Sequence, residues 1–185
     1  MLSCINVIKK IMRYKIQNAL ILKQSNFREN DLKITLLNQN GKHELLAKGG
    51  KNINSKLVPM LLPLSFCDLW IIKSKYLSLD IIADVKIRNN FFENLRKSPL
   101  HLKFSLRAIE ILDNISYPEI SSGSLLKNLL KLLLTLPKIK EIDLPKLWIH
   151  FELFVLEYLG LKPSKLPKMS IKKLSKYLEE KILNS

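Results

Sequence analysis

The chain has 185 residues, 47% of them hydrophobic, enough to bury a core and to exclude a chain disordered by composition. Its 31 Lys and Arg against 16 Asp and Glu give a net charge of +15, which favours a polyanionic partner, nucleic acid or an anionic membrane surface. Two distant cysteines, Cys4 and Cys67, exclude a disulfide framework and zinc-ligand spacing and point to a reducing, cytoplasmic setting.

The first twelve residues read as a basic N-terminal extension rather than a secretory signal, with Met12 as an alternative start. Branched aliphatics over 15–24 predict a first strand, and a polar loop with Arg28 follows. Residues 31–37 and 42–47 predict a hairpin around Asn38-Gln39-Asn40-Gly41. Next comes the loop Lys48-Gly49-Gly50-Lys51, running on to Lys56. Pro59 and Pro63 then confine any strand to an edge or a start. Residues 65–73 and 75–86 predict two further strands about a tight turn at Ser74. Five short strands suggest a small closed barrel.

After residue 87 the pattern turns helical. A short helix is predicted over 89–96. Ser98-Pro99 opens a second, with Leu102, Leu106, Ile109 and Leu112 at helical spacing. Tyr117 to Gly123 reads as a linker. The leucine-rich run 124–136 is a third helix, stopped by Pro137; Lys127 and Lys131 interrupt it, so it is no membrane span. Asp143 is expected to cap a fourth helix ending at Gly160, and Ser170 a last one to Leu183. The fold class is therefore α+β. A five-stranded OB-fold-like barrel over 13–87 precedes an all-helical domain over 88–185.

The excess charge is shared, 14 basic against 6 acidic residues up to 87 and 17 against 10 after it, so charge alone does not locate a site. The glycine–lysine loop does. Glycine permits positive φ and close backbone approach, and the stretch 45–56 holds three lysines and no acid. Small barrels with basic loops bind single-stranded nucleic acid through phosphate neutralisation. Lys48, Gly49, Lys51 and Lys56 are the first candidates, with Arg28, Lys42, Lys73 and Lys75 as neighbours. Phe27, Phe66, Trp70 and Tyr76 are the aromatics within reach; Phe27, in a polar loop, is the one expected to be exposed, the others core. Neither Gly-x₄-Gly-Lys-Ser/Thr nor GxGxxG is present, so nucleotide hydrolysis has no support. His43, His101 and His150 stand alone, and Asp80 with Asp84 is too small an acid set for a two-metal nuclease. No metal, no cofactor and no catalysis are expected. The leucine-rich helix is read as core, with a peptide groove as the lesser reading.

The residues Ala19-Leu20-Ile21-Leu22-Lys23, Glu29-Asn30-Asp31, Thr35-Leu36, Gly41-Lys42, Ala47-Lys48-Gly49, Ser55-Lys56 and Leu62-Pro63-Leu64-Ser65 occur in the order and spacing of the RecO family, which the chain resembles. Phe151-Glu152-Leu153 through Leu159-Gly160-Leu161-Lys162-Pro163 resembles the family's helix end, so the likeness runs from about residue 13 to 166. The resemblance implies an N-terminal OB-fold and a helical C-terminal domain. It implies binding of single- and double-stranded DNA and strand annealing in the bacterial cytoplasm, at the nucleoid. It also implies contact with RecR and with the C-terminal tail of single-strand binding protein, so that RecA is loaded on gapped DNA. Where many members carry four zinc cysteines this chain reads Ser164-Lys165-Leu166-Pro167-Lys168-Met169, so zinc is not expected. A second basic surface is expected there instead, from Lys162, Lys165, Lys168, Lys172, Lys173 and Lys176. An RNA-binding barrel and a pure protein-interaction adaptor are the alternatives.

Overall fold

The computed structural model describes residues 12–52, 54–163 and 171–183. Five strands, β1 (Arg13–Asn26), β2 (Leu32–Asn38), β3 (Gly41–Ala47), β4 (Ser65–Ile72) and β5 (Asp80–Asn90), close into a barrel in the order β1-β2-β3-β5-β4. All neighbours are antiparallel except β3 and β5, which share a short parallel contact at Leu45–Asp80 and Leu46–Ile81. Strand alternation sends Ile16, Ala19, Ile21, Ile34, Leu36, Leu69 and Ile71 into the barrel core. Cys67 lies there too, where burial pushes its thiol up to about 12.

β1 is the longest strand because it serves two neighbours: its first half pairs with β4 and its second with β2. The partners change at Leu20, just after a bulge between Ile16 and Ala19 in the β1–β4 pairing. There Asn18 adopts φ 54°, a conformation asparagine tolerates better than most residues.

Among the described residues five α-helices follow: α1 (Phe91–Leu95), α2 (Pro99–Ile115), α3 (Gly123–Thr135), α4 (Leu144–Tyr158) and α5 (Ile171–Leu183). They share one core with the barrel's outer surface, since Leu20, Leu22 and Leu37 turn outward from β1 and β2 and join Phe104, Ile111, Leu125 and Leu129. The stretch 117–122, read above as a linker, is docked on the β2–β3 turn. Lys42 N–H donates to the Tyr117 carbonyl at 3.2 Å and Ser122 N–H to the Gln39 carbonyl at 3.1 Å. Gly41 makes this approach possible. It holds φ +126°, and a Cβ there would lie 2.9 Å from the carbonyl oxygens of both Tyr117 and Ile120.

Three expected boundaries move, each for a local reason. The turn at Ser74 is a loop over 73–79. Ser74 Oγ accepts from Leu77 N–H at 2.8 Å, and Asp80 Oδ1 accepts from Ser74 N–H at 2.8 Å, so the chain folds on itself before β5 begins. β5 then runs on to Asn90, whose side chain caps α1 by accepting from Glu93 N–H. Asp143 does not cap α4 with its side chain but sits in a 3-10 turn over Glu141–Asp143. By contrast Ser98 caps α2 as expected, and Gly160, at φ +71°, ends α4 with Leu161 N–H reaching the Leu156 carbonyl at 2.8 Å. The predicted cap Ser170 and the extension before Met12 lie outside the described residues.

Candidate nucleic-acid interface

The glycine–lysine loop leaves the end of β3 and meets the β1–β2 loop. Asp31 organises the meeting. Its carbonyl accepts from Phe27 and Arg28 N–H at 3.2 and 3.4 Å, closing the β1–β2 loop. Its carboxylate accepts from Gly49 N–H at 2.8 Å, tying in the second loop. Lys51 N–H donates to the Asn30 carbonyl at 3.1 Å, and Lys51 Nζ to the Arg28 carbonyl at 2.8 Å. The two glycines divide the work. Gly49 holds φ +65° with open space where a side chain would stand, whereas a Cβ on Gly50 would meet the Ala47 carbonyl at 2.9 Å.

Arg28, Lys48, Lys51 and Lys56 are all exposed around these two loops. Among the described residues Arg28, Lys48 and Lys56 make no ion pair, so their charge is available to an anion from solvent. The stretch 45–56 holds no acid in sequence, but the fold supplies one in Asp31, with Glu29 exposed in the same loop. Phe27 is half-buried, with the Arg28 guanidinium carbon 5.4 Å from its ring centre, rather than the exposed platform expected. Of the four aromatics expected within reach, Tyr76, 83% open in the β4–β5 loop, and Trp70, 37% open on β4, are the exposed ones. A tryptophan between two apolar neighbours in a strand reads as core in sequence; only the register of β4 turns it outward.

The other expected cations are dispersed. Lys42 stands at the start of β3, the opposite end of a seven-residue strand from Lys48, roughly 20 Å away at about 3.3 Å per residue. It donates to the Asp113 carbonyl at 2.6 Å and lies 3.4 Å from that carboxylate, so it fastens β3 to α2. Lys73 and Lys75 are exposed in the β4–β5 loop. On α5, Lys173 is exposed and Lys176 faces Glu180 at 3.9 Å, while Lys162 pairs with Glu157 at 2.7 Å. Lys172 belongs to the first turn of α5, and Lys165 and Lys168 lie outside the described residues.

The remaining candidates are structural. His43 Nε2 lies 3.1 Å from Asn38 Oδ1 and burial lowers its pKa. His101 bridges Ser98 and the Ile139 carbonyl. Asp80 is spent on Ser74 N–H and on the Tyr14 hydroxyl, at 2.8 Å each; burial, helped by the Asp80 bond and charge, keeps that phenol protonated well above its usual range. Among the described residues no three of His, Cys, Asp and Glu gather as a metal set, and no helix is long and apolar enough to cross a membrane. The leucine-rich α3 buries Leu125, Leu126, Leu129 and Leu133. The large apolar groove, about 1270 Å³, runs instead between β1, α2 and α4, past Leu102, Phe104, Leu106 and Trp148, with Lys103 at its side and Arg107 paired there to Glu110 and Glu179.

Residues 12–91, the whole barrel, match the model for the N-terminal domain of recombination protein O. The DNA repair protein RecO of Alkaliphilus metalliredigens (strain QYMF) is 29% identical over 144 residues, which cover 77% of this chain and 57% of that protein. The barrel belongs to the RecO N-terminal family, and the chain as a whole is similar to RecO. The barrel is thus the RecO N-terminal domain, and the helices packed on β1 and β2 fall in the part that aligns with the longer relative. The chain spans little more than half the length of the curated relative it matches.

Proposed function

We propose that this RecO-like chain is a non-enzymatic DNA-binding and strand-annealing factor of recombinational repair, acting in the cytoplasm at the nucleoid. The observation that carries the reading is the joined loop end of the barrel. Arg28, Lys48, Lys51 and Lys56 stand exposed around a backbone held in place by Asp31 and two glycines. Lysines on a pre-set backbone neutralise phosphates without reading bases, so affinity comes from counterion release and tolerates any sequence. A surface that lowers repulsion between two complementary strands lets them pair. The relative's printed role in DNA repair supports this reading. RecR, and through it RecA, are its proposed partners. The C-terminal tail of single-strand binding protein is a further proposed partner, and its hydrophobic residues suit the apolar lining of the groove between α2 and α4.

The test is a salt-titrated binding and annealing assay on the unaltered chain and a Lys48→Ala/Lys51→Ala/Lys56→Ala variant. The three substitutions should lower the salt slope for single strands by about 2, at about 0.7 per phosphate contact, and abolish annealing while circular dichroism stays unchanged. A folded variant that anneals normally overturns the assignment of the loop end. Preference for an RNA oligonucleotide over DNA of the same sequence overturns the choice of DNA.

A further inference from the structure

The outer surface of β1, β4 and β5 carries a second constellation that the loop end does not use. Register places Lys15, Trp70 and Asp84 in one cross-strand row, Arg13, Ile72 and Ile81 in the next, and Asp68 beside Lys86 on the other side. Directly paired residues share a face. Trp70 is at the centre of this surface, 37% exposed, with the Lys15 amine 4.7 Å from its ring centre. Arg13, Lys86 and Arg88 are exposed around it. Asp68 is 2% exposed and lies beneath, taking Arg88 in two bonds of 2.8 and 2.9 Å and Lys15 at 3.1 Å. The carboxylate fixes where these two cations stand and is itself screened from solvent. Asp84 is the exposed acid of the surface.

We propose that this face is a second track for single-stranded DNA, in which a base stacks on Trp70 and the flanking phosphates lie against Arg13, Lys15, Lys86 and Arg88. The inference rests on the reading that the chain binds DNA, and deepens it. An exposed indole among fixed cations suits a strand of stacked bases and phosphates, because every base has a π-face and the cations need no sequence. The Lys15 amine, 4.7 Å from the ring centre and held by Asp68, sets a cation beside the indole, so a base on the exposed part of the ring brings its phosphate within reach of Lys15. The loop end and the Trp70 face then offer separate footholds on one barrel for two strands.

Trp70 reports directly. The second tryptophan, Trp148, packs against Phe104 and Phe151 with ring centres 4.8 and 5.5 Å apart and supplies a constant background. Titrating the unaltered chain with a thymidine oligonucleotide should quench the Trp70 emission, and the quench should be absent in Trp70→Phe. Trp70→Ala should weaken binding about tenfold by fluorescence anisotropy of labelled DNA. Asp84→Asn should tighten it by about threefold, an effect a merely structural residue would not give. The Lys48/Lys51/Lys56 triple variant should keep the quench. If labelled DNA binds but Trp70 emission and Trp70→Ala affinity are unchanged, the second track is overturned and the DNA-binding reading stands. If labelled DNA does not bind at all, both fail. Quenching by uridine RNA alone overturns DNA as the occupant.

Discussion

β1 has two halves, and they meet opposite worlds. Its second half, with β2, turns Leu20, Leu22 and Leu37 outward into the helical core. Its first half, with β4 and β5, turns Arg13, Lys15 and Trp70 outward to solvent. Both halves obey the same alternation, and both send aliphatic residues inward. What differs is the cover on the outside: helices α2 and α3 seal one surface and leave the other open. Outward leucines on a strand thus mark where the rest of the chain packs, and outward cations about a tryptophan mark where it does not.

Substitutions should separate the two halves. On the sealed side Leu37 is fully buried and pairs with Leu20. Leu37→Ala should cost about 3 kcal/mol in urea unfolding, while DNA affinity of the folded fraction stays unchanged. Gly41 lies on the same side, under the 117–122 clamp. Gly41→Ala should cost about 2 kcal/mol, because the new Cβ meets two carbonyls in a conformation L-residues rarely adopt.

The hinge between the halves is Asp68, which also accepts from Asn18 N–H at 3.0 Å and so holds the bulge. Asp68→Asn should cost about 1–2 kcal/mol by removing charge-assisted bonds. The hydrogen bond and charge of Arg88 hold the Asp68 carboxyl far below the usual carboxylate range, with the Asn18 and Lys15 bonds adding to them against the cost of burial. A depressed folded-state pKa stabilises the protein in full above the unfolded value of about 3.9 and loses that contribution as pH falls below it. Stability of the unaltered chain should therefore fall between about pH 4 and 2 more steeply than that of the asparagine variant, measured by urea midpoints across pH. On the open side the smallest stability effect is expected. Trp70→Ala should cost about 1 kcal/mol in unfolding, well below Leu37→Ala, while lowering the DNA affinity that Leu37→Ala leaves unchanged.

Strand content was legible because five aliphatic runs alternate between turn signals, and Asn38 to Gly41 forms the expected hairpin. The loop-end site was half legible. Lys48, Lys51 and Lys56 flank the glycine pair in sequence, but Arg28 joins them because Asp31 binds Gly49 and Lys51 binds the Asn30 and Arg28 carbonyls. Asp31 itself, the residue that sets the geometry, reads in sequence as an ordinary strand start. Lys42 looked like a neighbour and is not one, because seven residues of extended strand carry it to the far end of the barrel. Trp70 reads as core in sequence because a hydrophobic run hides which face each residue takes. The bulge between Ile16 and Ala19 decides which outward rows meet on β1 and β4.

The sequence alone determined what is local: a basic chain, a strand-rich first half, a helical second half, the caps at Ser98 and Gly160, and the RecO pattern of short motifs. These follow from periodicity, backbone preference and composition, each set by residues a few positions apart. The tertiary structure decided which cations share a surface, which are spent on internal bonds, and which aromatic ring faces water. Those depend on barrel closure and on the side of the barrel the helices cover, and both are set by contacts between residues far apart in the chain.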